Sequence, residues 1–251
     1  MNAPAVDSTK TPPTDAVEPI LYTKGLRVNY GESLILRGID FAVRPGEITV
    51  VMGRNGVGKT TLLKSLMGLL KPADGSIHFD GEDITKLSPD KRARRGLGYV
   101  PQGRDVFPKL TVYENLEMGL EARRDGVKKV PENELYELFP ILGKMDRRMG
   151  GNLSGGQQQQ LSIARALAGK PRVLILDEPT EGLQPSIILD IERVLIKLKQ
   201  RGDLAIVLVE QYLEFAQQVA DHFYIMDRGS IVMTGTRDDL THDHISKYLT
   251  F

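Results

Sequence analysis

The residues Gly53-Arg54-Asn55-Gly56-Val57-Gly58-Lys59-Thr60-Thr61 stand between an apolar run, Ile48 to Met52, and a helical pattern, Leu62 to Leu70. Strand, glycine loop and helix in that order form the context a phosphate-binding loop needs. Glycines let the backbone wrap so that consecutive N–H groups point at one centre, and the helix that follows adds partial positive charge at its N-terminus. Lys59 then supplies a point charge to the β- and γ-phosphates of a nucleotide, and the Thr60 hydroxyl is placed to ligate the Mg2+ that bridges them. A plain glycine-rich turn is the alternative, and the flanking strand and helix argue against it.

A second set of reactive groups lies further on. Val173-Leu174-Ile175-Leu176-Asp177-Glu178 is a continuous apolar run ending in two carboxylates, the pattern of a strand buried on both faces. Successive side chains leave a strand on opposite sides, so as long as the backbone stays extended the two acids have different tasks. One can hold a metal shell while the other addresses a water. They could also be two acids at an ordinary strand exit, but with the phosphate loop they form a two-part Mg-nucleotide site. Gln102 ends the short strand Leu97 to Val100, where ligands of open α/β sheets collect. Ser154 reads as the cap of a helix running to about Ala168, and Gly155 and Gly156 leave its first N–H groups uncovered, a second anion-binding helix start. Tyr30, at a hairpin tip, could stack on a base or pack against backbone, and the sequence leaves that open.

The elements that position these groups can be read in order. Two strands, around Ile20 to Val28 and Ile35 to Val43, are joined across Asn29-Tyr30-Gly31-Glu32 as an antiparallel hairpin. Pro72-Ala73-Asp74-Gly75 marks a turn before a short strand, Ser76 to Asp80. Lys91, Arg92, Arg94 and Arg95 follow a helix cap at Ser88-Pro89 and read as a solvated helix face. From Gly103 to Gly151 the pattern becomes helical, with helices at Val112 to Leu120 and Glu132 to Phe139, which implies a helical subdomain inserted into an α/β core. A helix closing over Glu192 to Gln200 precedes the buried strand Ala205 to Val209, which ends at Glu210-Gln211. Phe223 to Met226 and Ile231 to Thr234 make a terminal hairpin.

Composition narrows the function classes. The 251 residues can bury one large core or two modest ones, and Lys plus Arg and Asp plus Glu both number 33. That balance leaves no global field to draw in nucleic acid or an anionic membrane. The chain has no cysteine, which removes a disulfide framework and a thiolate metal site. Apolar runs such as Val173 to Leu176 fall far short of the ~20 residues that span a bilayer. Residues 1–19 are rich in Pro, Thr, Ala and Asp and read as a disordered tail without the apolar core of a signal peptide.

Taken in this order, the phosphate loop, Gln102, Leu153-Ser154-Gly155-Gly156-Gln157 and the Asp177-Glu178 strand resemble the ATP-binding cassette of ABC transporters, over about residues 20–251. The resemblance implies an α/β P-loop NTPase cassette: a RecA-like core, an antiparallel β subdomain and an inserted α-helical subdomain at about residues 103–165. Its cofactors would be ATP and Mg2+, with Gly53 through Thr61 around the phosphates, Tyr30 on the adenine, and Thr60, Gln102 and Asp177 at the metal. Glu178 would polarise the attacking water, and Gln102 would also sense the transmembrane partner. Two cassettes would pair head to tail, so that Ser154, Gly155, Gly156 and Gln157 meet the triphosphate bound to the opposite subunit.

Two positions depart from the family pattern. Gln211 stands where many members carry a histidine that contacts the γ-phosphate, and none of His78, His222, His242 and His244 can replace it by position. A glutamine amide can donate a hydrogen bond to phosphate but cannot take up a proton. Gln184 stands at the usual aspartate after Glu178, which weakens an expected contact across the dimer. The Val209-Glu210-Gln211 ending and the stretch Gln102-Gly103-Arg104-Asp105-Val106-Phe107-Pro108 resemble ATPases of branched-chain amino acid importers. Within that group, Met52 to Gly58 and Glu181-Gly182-Leu183-Gln184-Pro185 look most like the ATP-binding subunit of urea importers. That likeness implies a non-identical second cassette, two permeases and an external binding protein. The subunit itself would be peripheral on the cytoplasmic face of the inner membrane, and residues 103–115 would meet the permease. A soluble ABC-type ATPase acting on nucleic acid or ribosomes is a competing class, though such proteins usually carry paired cassettes, long coiled-coil insertions or zinc ligands. A non-catalytic nucleotide-gated scaffold is a third, made conceivable by Gln184 and Gln211.

Overall fold

The computed structural model describes residues 17–241 and Tyr248; most of the expected N-terminal tail, as well as His242 and His244, lies outside the described residues. The chain starts with the hairpin β1 (Leu21–Tyr30) and β2 (Ser33–Val43), then enters β3 (Ile48–Met52) and α1 (Lys59–Leu66). Next come β4 (Asp74–Phe79), β5 (Glu82–Asp83), α2 (Pro89–Arg95) and β6 (Leu97–Val100). A helical stretch follows: α3 (Val112–Gly119), α4 (Glu132–Leu138), α5 (Pro140–Gly143) and α6 (Gly155–Ala168). The remainder alternates as β7 (Val173–Asp177), α7 (Pro185–Gln200), β8 (Ala205–Val209) and α8 (Leu213–Val219), and ends in the hairpin β9 (His222–Asp227) and β10 (Ser230–Thr236).

Two sheets result. The smaller is antiparallel in the order β2-β1-β4-β5, and the larger runs β10-β9-β3-β8-β7-β6 with only the edge strand β10 antiparallel. The strand period of two sorts the apolar side chains of the larger sheet onto its two faces. Val50, Leu174, Leu176, Ile206 and Leu208 join a cluster with α6, α7 and α8, whereas Val51, Val173, Ile175, Val207 and Val209 join one with α1 and the smaller sheet. Both faces are covered, which is why β3, β7 and β8 are buried at every position and, apart from Thr49 and Asp177, apolar throughout. Their C-terminal ends carry Gly53, Glu178 and Glu210 to one edge of the sheet, where the candidate site lies.

The structure corrects three sequence expectations. The helical pattern from Leu62 to Leu70 ends early, because α1 stops at Leu66 and Gly68 takes φ +77. Asp74 and Gly75 are not a turn but the start of β4, drawn into the sheet where Asp74 pairs with Arg27. The basic cluster is not uniformly solvated: Arg92 is buried, and its guanidinium donates to the carbonyl oxygens of Ser65 (2.7 Å), Leu66 (2.7 Å), Thr85 (2.9 Å) and Leu87 (3.1 Å). The cause is the far end of α1, whose last carbonyls lack intrahelical donors and whose dipole favours a cation. Burial lowers the Arg92 pKa to about 10, so it remains charged at neutral pH.

Candidate active site

Three conditions make the phosphate loop fit an anion. Gly58 takes the N-cap of α1 at φ 111, no side chain among the described residues caps the helix, and its first turn holds no acid. The uncapped N–H groups therefore face the loop concavity with the positive end of the dipole behind them. Gly53, at φ +146, lies so close to the β9–β10 hairpin that a Cβ would fall 2.3 Å from the Met226 carbonyl oxygen. Lys59 is buried; its Nζ donates to the carbonyls of Gly53 (2.7 Å) and Arg54 (3.0 Å) and stands 3.5 Å from Glu178 Oε1. Burial lowers the Lys59 pKa, against the upward pull of the Glu178 charge.

At the carboxylates the extended backbone does not persist. β7 ends at Asp177, and Glu178 takes the left-handed region at φ 48, a conformation costly for a residue with a Cβ and common at functional sites. The bend swings Glu178 over the phosphate loop while Asp177 stays beneath it. Glu178 Oε1 accepts the Gln211 amide at 2.7 Å and Oε2 faces the Gln102 amide at 3.4 Å. Asp177 Oδ1 accepts the Thr60 hydroxyl at 3.3 Å, and Oδ2 is buried without a hydrogen bond of normal geometry among the described residues. Burial raises the Asp177 pKa, and the neighbouring Glu178 charge adds to the shift. A buried carboxylate oxygen with no hydrogen bond of normal geometry among the described residues, beside a hydroxyl and a phosphate cradle, suits Mg2+, which takes one or two carboxylates and completes its shell with phosphate and water. Thr60 and Asp177 are the residues that would hold it.

A cavity of about 400 Å³ is lined by Tyr30, Asn55, Gly56, Gly58, Lys59, Thr60, Thr61, Gln102, Glu178 and Glu181. Tyr30 is the last residue of β1 and 46% exposed, so its ring is available to a base rather than packed away. Gln102 reaches Glu181 Oε2 at 2.8 Å, which leaves its amide oxygen for a metal. Ser154, Gly155, Gly156 and Gln157 are not in this cavity. Ser154 and Gln157 line a separate groove with Ile187 and close a capping box at the start of α6. The side-chain cap covers the Gln157 N–H, while Gly155 and Gly156 stay bare against Arg104 and Ile187. Gln184 caps α7 without a side-chain bond, the task an aspartate would take. His78 lies in β4 and His222 at the start of β9, neither near Glu178.

Sequence reasoning missed two members of this array. Glu181 follows the carboxylate pair in a polar loop, with no pattern to single it out. Glu210 is legible only as an acid at the end of an apolar strand. It is buried; its Oε1 accepts the Thr180 hydroxyl (2.8 Å) and N–H (3.2 Å), its Oε2 accepts the Gln211 N–H (3.2 Å), and burial pushes its pKa up to about 7.

A glycine loop on a helix start, facing a strand-end carboxylate pair across one sheet edge, defines a P-loop nucleotide hydrolase. The ABC transporter family model matches residues 36–181, more than half of the chain, and the protein belongs to that family as an ATP-binding cassette with ATPase activity. It is 41% identical to the high-affinity branched-chain amino acid transport ATP-binding protein BraG of Pseudomonas aeruginosa over 207 residues, 82% of this chain and 88% of BraG. It is 35% identical to the lipopolysaccharide export system ATP-binding protein LptB of Escherichia coli K12 over 231 residues, 90% of this chain and 95% of LptB. Among solved structures, the ADP conformation of the ABC transporter cassette MJ1267 superposes with TM-score 0.80 at 28% identity, covering 93% and 97% of the two chains. The expected architecture of core, antiparallel sheet and helices is that of these cassettes.

Proposed function

We propose that this chain is the ATP-hydrolysing subunit of an importer and that the imported solute is urea. The single observation that carries the catalytic part is the convergence of Lys59, Gln102 and Gln211 on the Glu178 carboxylate at the rim of the phosphate loop. Lys59 and the N–H groups of Gly53 through Thr61 bind the triphosphate, and Tyr30 stacks on the adenine. Thr60, Asp177 and the Gln102 amide oxygen would hold Mg2+, which would supply charge neutralisation at the phosphates. Glu178 accepts a hydrogen bond from the attacking water and orients it at the γ-phosphorus. Gln211 holds Glu178 in place and offers an N–H to the γ-phosphate, with no proton transfer of its own.

The signature residues Ser154, Gly155, Gly156 and Gln157 lie outside the loop cavity, so we assign them to the triphosphate of a second cassette docked head to tail. The helical part, at about residues 103–165, meets the permeases. A groove of about 420 Å³ between α2, β6, α3 and α6 supports this, because its walls expose Phe107 (42%) and Met118 (45%). No helix among the described residues is long and apolar enough to cross a membrane, so the subunit sits peripherally on the cytoplasmic face through those permeases.

Support for urea comes from Met52 to Gly58 and Glu181 to Pro185. A second reading, uptake of a branched-chain amino acid or another amide, is favoured by the likeness to BraG. Vesicles reconstituted with the two permeases, both cassettes and the binding protein, given labelled urea or labelled leucine with ATP inside, separate the two. Urea uptake supports the first; leucine uptake without urea uptake replaces it with the second.

A further inference from the structure

Beyond the groups that touch the nucleotide cavity, Glu210 occupies a position that nothing so far explains. It is 3% exposed, does not line the cavity and carries a carboxylate beneath the phosphate-binding edge. Its backbone N–H continues the central sheet by donating to the Val51 carbonyl (3.2 Å), one strand from the phosphate loop. Its two oxygens bind two different loops, Oε1 taking both donors of Thr180 in the loop after Glu178, and Oε2 taking the N–H of Gln211. Gln211 in turn donates to Glu178. A closed ring thus runs from Glu178 through the backbone to Thr180, across the Glu210 carboxylate to Gln211, and back to Glu178.

We infer that Glu210 is a positioning residue for ATP hydrolysis, a buried acceptor that locks the Glu178 loop to the Gln211 loop. This rests on the reading of Glu178 as the residue that orients water. The lock has a physical need. Glu178 sits at φ 48, past the end of its strand, so the conformation persists only if the surroundings over-determine it. Gln211 is exposed and long, and without a fixed backbone N–H its amide would not hold a single orientation toward Glu178. The donors of Thr180 and Gln211 converge on Glu210, and only a carboxylate presents acceptors alone on both of its atoms. A glutamine there turns one acceptor into a donor facing an N–H or hydroxyl, which forces one loop away.

The test uses the assembled transporter containing the Glu210→Gln cassette, with ATP turnover and nucleotide affinity measured together. A displacement of about an ångström at a reacting group costs up to roughly a hundredfold in rate, so kcat is expected to fall about ten- to a hundredfold while the KM for ATP stays within about twofold. Thr180→Val, which removes one donor and keeps the shape, is expected to lower kcat in the same direction and carries the test if Glu210→Gln does not fold. Thr180→Ser is expected to retain turnover. Normal kcat in both Glu210→Gln and Thr180→Val overturns the inference, as does a loss of kcat matched by an equal loss of ATP affinity. A parallel Glu178→Gln measurement separates the layers. Full turnover there removes the reading of Glu178, whereas an inactive Glu178→Gln beside normal Glu210→Gln and Thr180→Val removes only the role of Glu210.

Discussion

Replacing Arg92 with alanine gives a sharp test of how the phosphate-loop helix is anchored. The guanidinium holds four backbone carbonyls, two of them in the last turn of α1, at 2.7 to 3.1 Å. Hydrogen bonds from a charged donor are worth about 1.5–3 kcal/mol each. Against them stands burial, which lowers the pKa from 12.5 to about 10, a cost to the charged form of about 3 kcal/mol. The residue therefore nets less than its contacts suggest, yet its removal takes a charged donor from four carbonyls in a largely dry space, of which Ser65 keeps the Gly68 N–H (3.0 Å). Breaking such a buried polar cluster costs about 3–5 kcal/mol. For a chain of this size that is a drop in Tm of about 10 °C. Lysine keeps the charge but reaches fewer of the four acceptors in place, so Arg92→Lys is expected to lose about half as much. Urea unfolding of the three proteins at pH 7.5 reads these differences as shifts of midpoint at constant slope. A loss below about 1 kcal/mol for Arg92→Ala would refute the anchoring role, because carbonyls so readily satisfied by water would not need a buried cation.

Further outcomes follow from the same geometry. Lys59→Ala is expected to weaken MgATP binding about tenfold or more in a fluorescent-nucleotide titration, since a buried charge-assisted contact is lost; unchanged affinity would count against the loop geometry. Gly156→Ala places a Cβ 2.8 Å from Ile187, and is expected to cost about 1–3 kcal/mol in denaturant unfolding through overpacking, with a neutral result showing that the α6–α7 contact is loose. Glu210 has a folded pKa raised from 4.5 to about 7, so the folded state binds the extra proton between those values. Its contribution is fully present below about pH 4.5 and is lost as pH rises through about 7, a fall of about 3 kcal/mol. The Lys59 charge interacts with it, and Glu210→Gln is expected to flatten that part of the stability profile; an unchanged slope assigns it elsewhere.

Much of the site was legible because its signals are local. The glycine spacing before Lys59 is a backbone requirement, and the apolar run into Asp177 can only be a strand covered on both sides, so loop, strand and carboxylates could be placed without the fold. The order of those motifs also carried the family. What was not legible depends on contacts distant in sequence. Arg92 looked like one of four solvated cations, because nothing near it in the chain announces that the carbonyls of Ser65 and Leu66 end a helix against it. The bend at Glu178 replaced the alternation that extended geometry implies, because the side chain is held over the phosphate loop by Gln211, 33 residues away. Glu210 was hidden for the same reason, its partners Thr180 and Gln211 standing at the ends of two different strands.

The measurement that bears most directly on the central claim is γ-phosphate release by the assembled transporter carrying either the native cassette or Glu178→Gln, with MgATP binding followed in the same preparations. The substitution keeps the shape of the side chain and its place beside Lys59 while removing the carboxylate proposed to orient water. Retained MgATP binding with release slowed by about a hundredfold or more is the expected result. Release at close to the native rate would contradict the assignment of hydrolysis to this carboxylate.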